Sequence, residues 1–369
     1  MQVKFYDVAA QYKQIKTEID ATIIEVLESA AFYDSPAVSA FEHMFAQLHQ
    51  TKHCIAVNSG TAALHASLMA LNITAGDEVL VPANTFFATA EAVSLTGATP
   101  VFVDCNADDY GMDPTHLEGA LTARTKALIA VHMYGQAAQL DALKVFSEKH
   151  GLYLVEDCAH AHLATYKTIP VGSHGITACF SFFPGKNLGA YGEGGAILTN
   201  DDGLAHELAK IRQHGAIEKY HHERIGHNYR MESIQAAILN VKMRYMEQWT
   251  AIRQQRAVLY KELLSDCPQV ILPHIADTNQ HVYHLFVIRC LERNGLKGYL
   301  QEKGIETGLH YPIPLHLQKA YASLGYNRGS FPVAEQLSKE ILSLPISEQI
   351  TEEEVRYVSA RIKAFYAGE

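Results

Sequence analysis

Lys186 stands in the run Ser181-Phe182-Phe183-Pro184-Gly185-Lys186-Asn187, just past an apolar segment and inside a glycine-containing turn. A lysine so placed can meet an aldehyde in a partly desolvated pocket, because desolvation lowers its pKa and frees the neutral amine for Schiff-base formation. By itself the same lysine also fits a flexible surface loop. Glu156-Asp157 closes the apolar run Leu152–Val155, which puts Asp157 at the carboxyl edge of a sheet, where open α/β folds bind ligands. A carboxylate there could keep the nitrogen of a bound pyridine ring protonated and make that ring an electron sink, although a lone Asp at a strand end also serves as a helix cap. Asn58-Ser59-Gly60-Thr61 joins a strand to a helix beginning near Ala62. Free N–H groups at such a start suit a phosphate, with Gly60 permitting close approach, while a plain Ser/Thr cap is the simpler reading of that segment alone.

These residues need a scaffold, and the chain between about residues 52 and 200 supplies one. Short, nearly continuous apolar runs recur at His53–Val57, Glu78–Pro82, Thr99–Asp104, Ala127–His132, Leu152–Glu156, Thr177–Phe182 and Gly195–Thr199. Such runs read as strands covered on both faces, and the segments between them (Ala62–Leu71, Thr85–Leu95, Leu140–His150) carry helical spacing. The alternation predicts a doubly wound α/β sheet, mostly parallel. Met231 to about Leu264 reads as one long helix without Gly or Pro. After Pro268 a smaller α+β region follows, with a strand at Val282–Arg289, a helix near Gly295–Lys303, a Pro-rich turn at His310–His316 and two closing helices. The last of these opens on Thr351-Glu352-Glu353-Glu354, a capping-box pattern. The expected division is a large domain over residues 1–250 and a smaller C-terminal one over 251–369.

Composition narrows the function classes. The 369 residues are 48% hydrophobic and carry a formal charge of −10 with no basic block, which argues against a nucleic-acid partner. No apolar stretch approaches a membrane span, and the opening MQVKFYDVAA has none of the features of a signal peptide, so a cytoplasmic protein is expected. Six scattered cysteines without Cys-x-x-Cys spacing read as buried, reduced thiols. Twenty histidines include the close pairs His160-x-His162, His221-His222 and His281-x-x-His284, none with a matched ligand set at zinc spacing, and no metal is expected. Neither a Gly-x-Gly-x-x-Gly nor a Gly-x-x-x-x-Gly-Lys-Ser/Thr motif is present.

Taken in order, the motifs resemble the DegT/StrS family of sugar aminotransferases, which have the type I (aspartate aminotransferase-like) pyridoxal-phosphate fold. The resemblance runs through Ser59-Gly60-Thr61, Val81-Pro82-Ala83-Asn84-Thr85-Phe86, Val131-His132-Met133-Tyr134-Gly135 and Glu156-Asp157-Cys158-Ala159-His160-Ala161-His162. It continues through Ser181 to Gly195, Gly226-His227-Asn228-Tyr229-Arg230-Met231 and His310-Tyr311-Pro312. It implies pyridoxal phosphate (PLP) as the cofactor, Lys186 as the lysine that bears it, and Asp157 as the partner of its ring nitrogen. Phe86 would stack on the ring, and Gly60, Thr61 and Ser181 would hold the phosphate, joined by Asn228 from the second subunit of a homodimer with shared sites. Arg230 would take the amino donor's carboxylate, and Lys219, His310 and Tyr311 would contact the nucleotide-linked sugar.

The chain departs from the family pattern at His160, where Gln is usual, and at Phe183, where many relatives have Tyr. His160 is expected to bond the cofactor's phenolic oxygen and, as an imidazole, to titrate near neutrality. Lys219-Tyr220-His221-His222 through Asn240-Val241-Lys242-Met243, with Trp249 beyond, is similar to members acting on 3-keto sugars. The resemblance therefore implies amino transfer from L-glutamate to a dTDP-3-keto-6-deoxyhexose. A 4-keto sugar nucleotide is the alternative substrate, and a non-catalytic PLP-binding regulatory protein the alternative class.

Overall fold

Seven short strands, each too apolar to face water, form one sheet in the computed structural model, which describes residues 1–368. They are β1 (His53–Val57), β2 (Glu78–Pro82), β3 (Thr99–Val103), β4 (Thr125–Val131), β5 (Tyr153–Asp157), β6 (Thr177–Ser181) and β7 (Gly195–Thr199), in the order β1-β7-β6-β5-β4-β2-β3. All neighbours run parallel except β7, which is antiparallel to both β1 and β6. The seven expected strands are these seven, with ends shifted by up to two residues.

Alternating side chains send successive residues to opposite faces of the sheet. Ile55, Val57, Val79, Val81 and Ile129 pack on one face against α3 (Gly60–Ala70), α4 (Phe87–Leu95) and α6 (Asp202–Arg212). Cys54, Ala56, Leu80 and Leu128 pack on the other against α2 (Pro36–Leu48), α5 (Leu140–His150) and α7 (Ser233–Met243). Both faces are therefore dry, which explains the unbroken apolar strands. The first helix, α1 (Val8–Ser29), packs on α7 through Ile15, Ile19, Ile238 and Val241.

Beyond α8 (Met246–Leu264) a second core forms around a three-stranded antiparallel sheet, with β9 (Phe286–Cys290) between β8 (Val270–Ile271) and β10 (Ile341–Leu344). α9 (Arg293–Glu302) and α11 (Glu352–Ala367) cover it, and α10 (Pro332–Glu340) leads into β10. Thr351 and Glu354 form the expected capping box at the start of α11. The N-terminal segment joins this second core: Val3 N–H donates to Gly304 O at 2.9 Å, and Glu306 N–H donates back to Val3 O at 3.0 Å. All six cysteines are buried and unpaired. No helix of the described residues is long and apolar enough to cross a membrane.

Two expectations are corrected. The single long helix from Met231 is two helices, α7 and α8, broken at Arg244-Tyr245. There the backbone bonds tighten to the third residue back, Arg244 N–H to Val241 O at 3.3 Å and Tyr245 N–H to Lys242 O at 3.0 Å. Tyr245 stacks on Trp249, with centroids 5.5 Å apart, and its hydroxyl bonds Glu18 of α1. Packing on α1 thus sets a break that no Gly or Pro announces. The strand expected at Val282–Arg289 begins only at Phe286, because residues 282–285 bond to the loop after β4 instead: Val282 N–H to Gly135 O at 2.9 Å and Leu285 N–H to Tyr134 O at 3.2 Å.

Candidate active site

Topology brings the chemically interesting residues together at the carboxyl ends of β1, β5 and β6, around a cavity of about 550 Å³. Gly60, Thr61, Phe86, Asp157, His160, Ser181, Lys186, His310 and Tyr311 all line it.

Lys186 lies in the turn after β6, where its N–H donates to Phe183 O at 2.8 Å. Burial lowers its pKa to about 8, and the nearby Asp157 charge only partly opposes this. A substantial fraction of the amine is therefore neutral near physiological pH, as attack on an aldehyde requires.

Asp157, the last residue of β5, is buried, and no cationic side chain among the described residues is bonded to it. Its Oδ2 accepts from Thr89 Oγ1 at 2.9 Å and its Oδ1 from the Ala159 N–H at 3.1 Å. Burial raises its pKa, against the effect of those two bonds. A carboxylate desolvated this way gains most from a ligand that brings a positive N–H.

The phosphate end is a close approach of two backbones. Ser59 caps α3, its Oγ accepting from Ala62 N–H at 3.1 Å, so the helix begins at Gly60 with its free N–H groups at the cavity. A Cβ on Gly60 would stand 2.7 Å from Ser181 Cβ, so only glycine leaves this cradle intact. Phe86, at the start of α4, is 54% exposed and offers a free ring face to the cavity, 5.4 Å from the Tyr311 centroid.

This donor set fits PLP: an amine for its aldehyde, a buried carboxylate for its ring nitrogen, an aromatic face for its ring, and a helix start with Ser181 for its phosphate.

His160 is placed in the cavity wall but corrects one expectation. The chain after Asp157 forms successive turns, with Ala161 N–H bonded to Cys158 O at 2.9 Å. His160 Nδ1 accepts from Tyr134 N–H at 3.4 Å, and its Nε2 lies 3.4 Å from the Tyr311 hydroxyl. Burial first, and the Lys186 charge second, hold its pKa well below the usual imidazole value, so it stays neutral instead of titrating near neutrality.

Three expected residues do not line the cavity within one chain. Asn228 is held by backbone, its carbonyl accepting from Asn58 Nδ2 at 3.3 Å. Arg230 lies over the Tyr33 ring at 5.4 Å, and Lys219 sits on an exposed loop over Tyr220 at 5.1 Å.

Other lining residues carried no sequence signal or a weak one. Phe5 and Tyr6 arrive from the N-terminus, and Phe5 stacks on His310 at 5.8 Å. Thr89, on α4, lies four residues after Thr85 and bonds its hydroxyl at 3.1 Å. Arg253 is neutralised by Glu348 at 2.8 Å. His284, singled out only as half of a histidine pair, also faces the cavity.

His132, Glu156 and Cys158 converge beneath the site at ligand-like distances. Two of its three members are held by hydrogen bonds: His132 Nδ1 accepts from Ala138 N–H and its Nε2 donates to Glu156, which also accepts the N–H groups of Gly172, His174 and Gly175. It is a buried clamp on the end of β5.

The sequence profile of the DegT/DnrJ/EryC1/StrS aminotransferase family matches residues 13–363. The chain is 43% identical to a protein of Geobacillus stearothermophilus named pleiotropic regulatory protein, covering 99% of each. It is 41% identical to the dTDP-3-amino-3,6-dideoxy-alpha-D-galactopyranose transaminase of Aneurinibacillus thermoaerophilus, over 98% of this chain and 99% of the relative. The crystal structure of S. venezuelae DesV superposes with a TM-score of 0.97 at 41% identity, covering 99% of this chain and 98% of that one. NtdA from Bacillus subtilis, 29% identical with a TM-score of 0.90 over 98% of this chain and 85% of that one, was solved with bound cofactor PMP, the amine form of PLP. With sequence profile, near-identical fold and cofactor-shaped cavity in agreement, the chain belongs to the DegT/DnrJ/EryC1/StrS aminotransferase family.

Proposed function

We propose that this protein transfers an amino group from L-glutamate to a dTDP-3-keto-6-deoxyhexose, giving a dTDP-3-amino-3,6-dideoxyhexose. The observation that carries the reading is one cavity holding a lysine with a pKa near 8 and a buried carboxylate bonded to no cation, in a member of this family. The sugar assignment rests on the likeness to the dTDP-3-amino-3,6-dideoxy-alpha-D-galactopyranose transaminase.

The cofactor, PLP, supplies an electron sink when bound. The residues of this chain do the rest. Lys186 Nζ would hold the cofactor and, as a free amine, would take a proton from the amino donor's carbon and deliver one to the accepting carbon, a task its lowered pKa suits. Asp157 fixes a proton on the ring nitrogen, and Thr89 orients its carboxylate. Gly60, Thr61 and Ser181 hold the phosphate, and Phe86 covers one ring face. His160, whose Nε2 lies beside the Tyr311 hydroxyl, meets the cofactor's phenolic oxygen, and Tyr311 with His310 meets the sugar.

Asn228, Arg230 and Lys219 lie outside their own chain's cavity and act in the partner's site of a homodimer: Asn228 on the phosphate, Arg230 on glutamate, Lys219 on the nucleotide diphosphate. The assembly works in the cytoplasm, with domains over residues 1–250 and 251–369.

One relative carries a regulatory name, which favours a second reading as a PLP-binding regulator. Adding L-glutamate to the PLP-loaded protein separates the two: loss of the visible absorption band marks the transaminase, and an unchanged spectrum the regulator. A panel of 3-keto and 4-keto sugar nucleotides, with products identified by NMR, then tests the substrate. A 4-amino product would overturn the 3-keto assignment.

A further inference from the structure

His284 owes its position to the late start of β9. Because residues 282–285 bond to the loop after β4, its ring is carried to the cavity and lies against His160, with centroids 4.4 Å apart. No sequence motif assigned it a role, yet its hydrogen bonds determine which atom faces the ligand.

Asn187 fixes the first half of the problem. Its Nδ2 donates to Val282 O at 3.1 Å, and a carbonyl can only accept, so the amide orientation is set. The amide oxygen, Oδ1, therefore faces His284 Nδ1 at 3.3 Å. An amide oxygen also only accepts, so Nδ1 of His284 carries the ring's proton. Burial, together with the neighbouring His160 and Lys186, holds the His284 pKa well below the usual value, so there is no second proton. Nε2 is left as a bare lone pair, and it bonds no group among the described residues.

His160 is the opposite tautomer. Its Nδ1 accepts from Tyr134 N–H, so its proton sits on Nε2 and points toward Tyr311. Two touching neutral imidazoles thus offer the cavity different chemistry, one an N–H and the other a bare acceptor. A bare nitrogen is satisfied only by a group that donates. A ketone, a phosphate and a carboxylate have no proton to give. A sugar hydroxyl does, and hydroxyls flank the carbon that must reach Lys186.

Resting on the nucleotide-sugar substrate proposed above, we infer that His284 is a specificity-determining residue whose bare Nε2 accepts a hydrogen bond from a sugar hydroxyl on a carbon adjacent to the one aminated. A site built to bond a hydroxyl discriminates strongly against the analogue lacking it, because the buried partner is then left unpaired.

The test uses the PLP-loaded enzyme in the reverse direction, with 2-oxoglutarate and three probes: dTDP-3-amino-3,6-dideoxyhexose and its 2-deoxy and 4-deoxy counterparts. His284→Phe keeps a ring of similar size without the acceptor, and His284→Gln restores an amide acceptor. Thermal melting checks that both variants fold. The half-reaction with L-glutamate is followed separately by the cofactor's absorption.

His284→Phe is expected to lower kcat/KM for the parent sugar by about tenfold or more, and to cause no such loss on one of the two deoxy sugars. His284→Gln should recover part of the loss, and the glutamate half-reaction should fall far less than the sugar half. An equal loss on all three sugars, or an equal loss in both half-reactions, would overturn the inference, because His284 would then act through Asn187 on the Lys186 turn. Wild-type enzyme that reacts with glutamate but with none of the three sugars would overturn the substrate reading, and the inference with it.

Discussion

Thr89 Oγ1 donates to Asp157 Oδ2 at 2.9 Å, a bond from α4 to the last residue of β5 that holds the buried carboxylate. Thr89 also shares a hydrogen bond with Thr85 at 3.1 Å, so the carboxylate is steadied by a short polar chain running from α4 to the loop before it. Thr89→Val keeps the shape and removes the donor, which costs about 1–3 kcal/mol for a charged acceptor. The expected outcome is PLP affinity weakened tenfold or more in equilibrium dialysis, with Thr89→Ser close to wild type. Wild-type affinity in Thr89→Val would show that the bond does not support the cofactor.

Lys186→Ala should fold normally and lose essentially all turnover, because the side chain lines a cavity and leaves the surrounding core untouched. In wild type, the rate at which apoenzyme takes up PLP should rise with pH and level off above about pH 8, as the amine loses its proton. Borohydride should then fix the cofactor on Lys186. A reduced adduct mapped to another lysine would refute the assignment.

Mixing Lys186→Ala with Asn228→Ala should restore activity once subunits exchange. One of the two sites in a hybrid dimer then has both residues intact, so the ceiling is about half the wild-type rate per hybrid, or about a quarter over a statistical mixture of dimers. Persistent inactivity after proven exchange of folded subunits would place Asn228 outside the partner's site.

His160→Gln should retain most activity, since an amide can accept from Tyr134 N–H and donate to Tyr311. His160→Ala leaves both groups without a partner, a loss on the order of 1–3 kcal/mol in kcat/KM. Because the imidazole stays neutral, the activity profile between pH 6 and 8 should have the same shape in wild type and His160→Gln. A wild-type inflection in that range that disappears in the Gln variant would contradict this.

Lys242 is fully buried on α7, with Nζ donating to Gly189 O at 2.6 Å and lying 3.9 Å from the Tyr191 ring centroid. Burial lowers its pKa from 10.5 to about 7. Between those values the unfolded chain holds a proton that the folded chain does not, so this group makes stability rise with pH across that window. Lys242→Met should flatten the rise in melting temperature between about pH 7 and 10, measured in the same cofactor state. An unchanged slope would mean that the folded lysine keeps its proton.

The sequence by itself determined the sheet and the family. Strands dry on both faces must be continuously apolar, so all seven were legible as runs, and Lys186, Asp157 and Gly60 stood at their ends in recognisable order. The capping box of α11 was equally plain, because its residues are neighbours in the chain. What depended on contacts between distant segments was decided only in three dimensions. The break at Arg244-Tyr245 comes from packing on α1, and the displaced start of β9 from backbone bonds to Gly135 and Tyr134. Protonation shows the same divide. An imidazole at His160 reads from sequence as a group that titrates near neutrality, but burial beside Lys186 keeps it neutral. The tautomer of His284 is fixed by Asn187, 97 residues away in the chain, and no local pattern encodes a hydrogen bond between side chains that only the fold brings together.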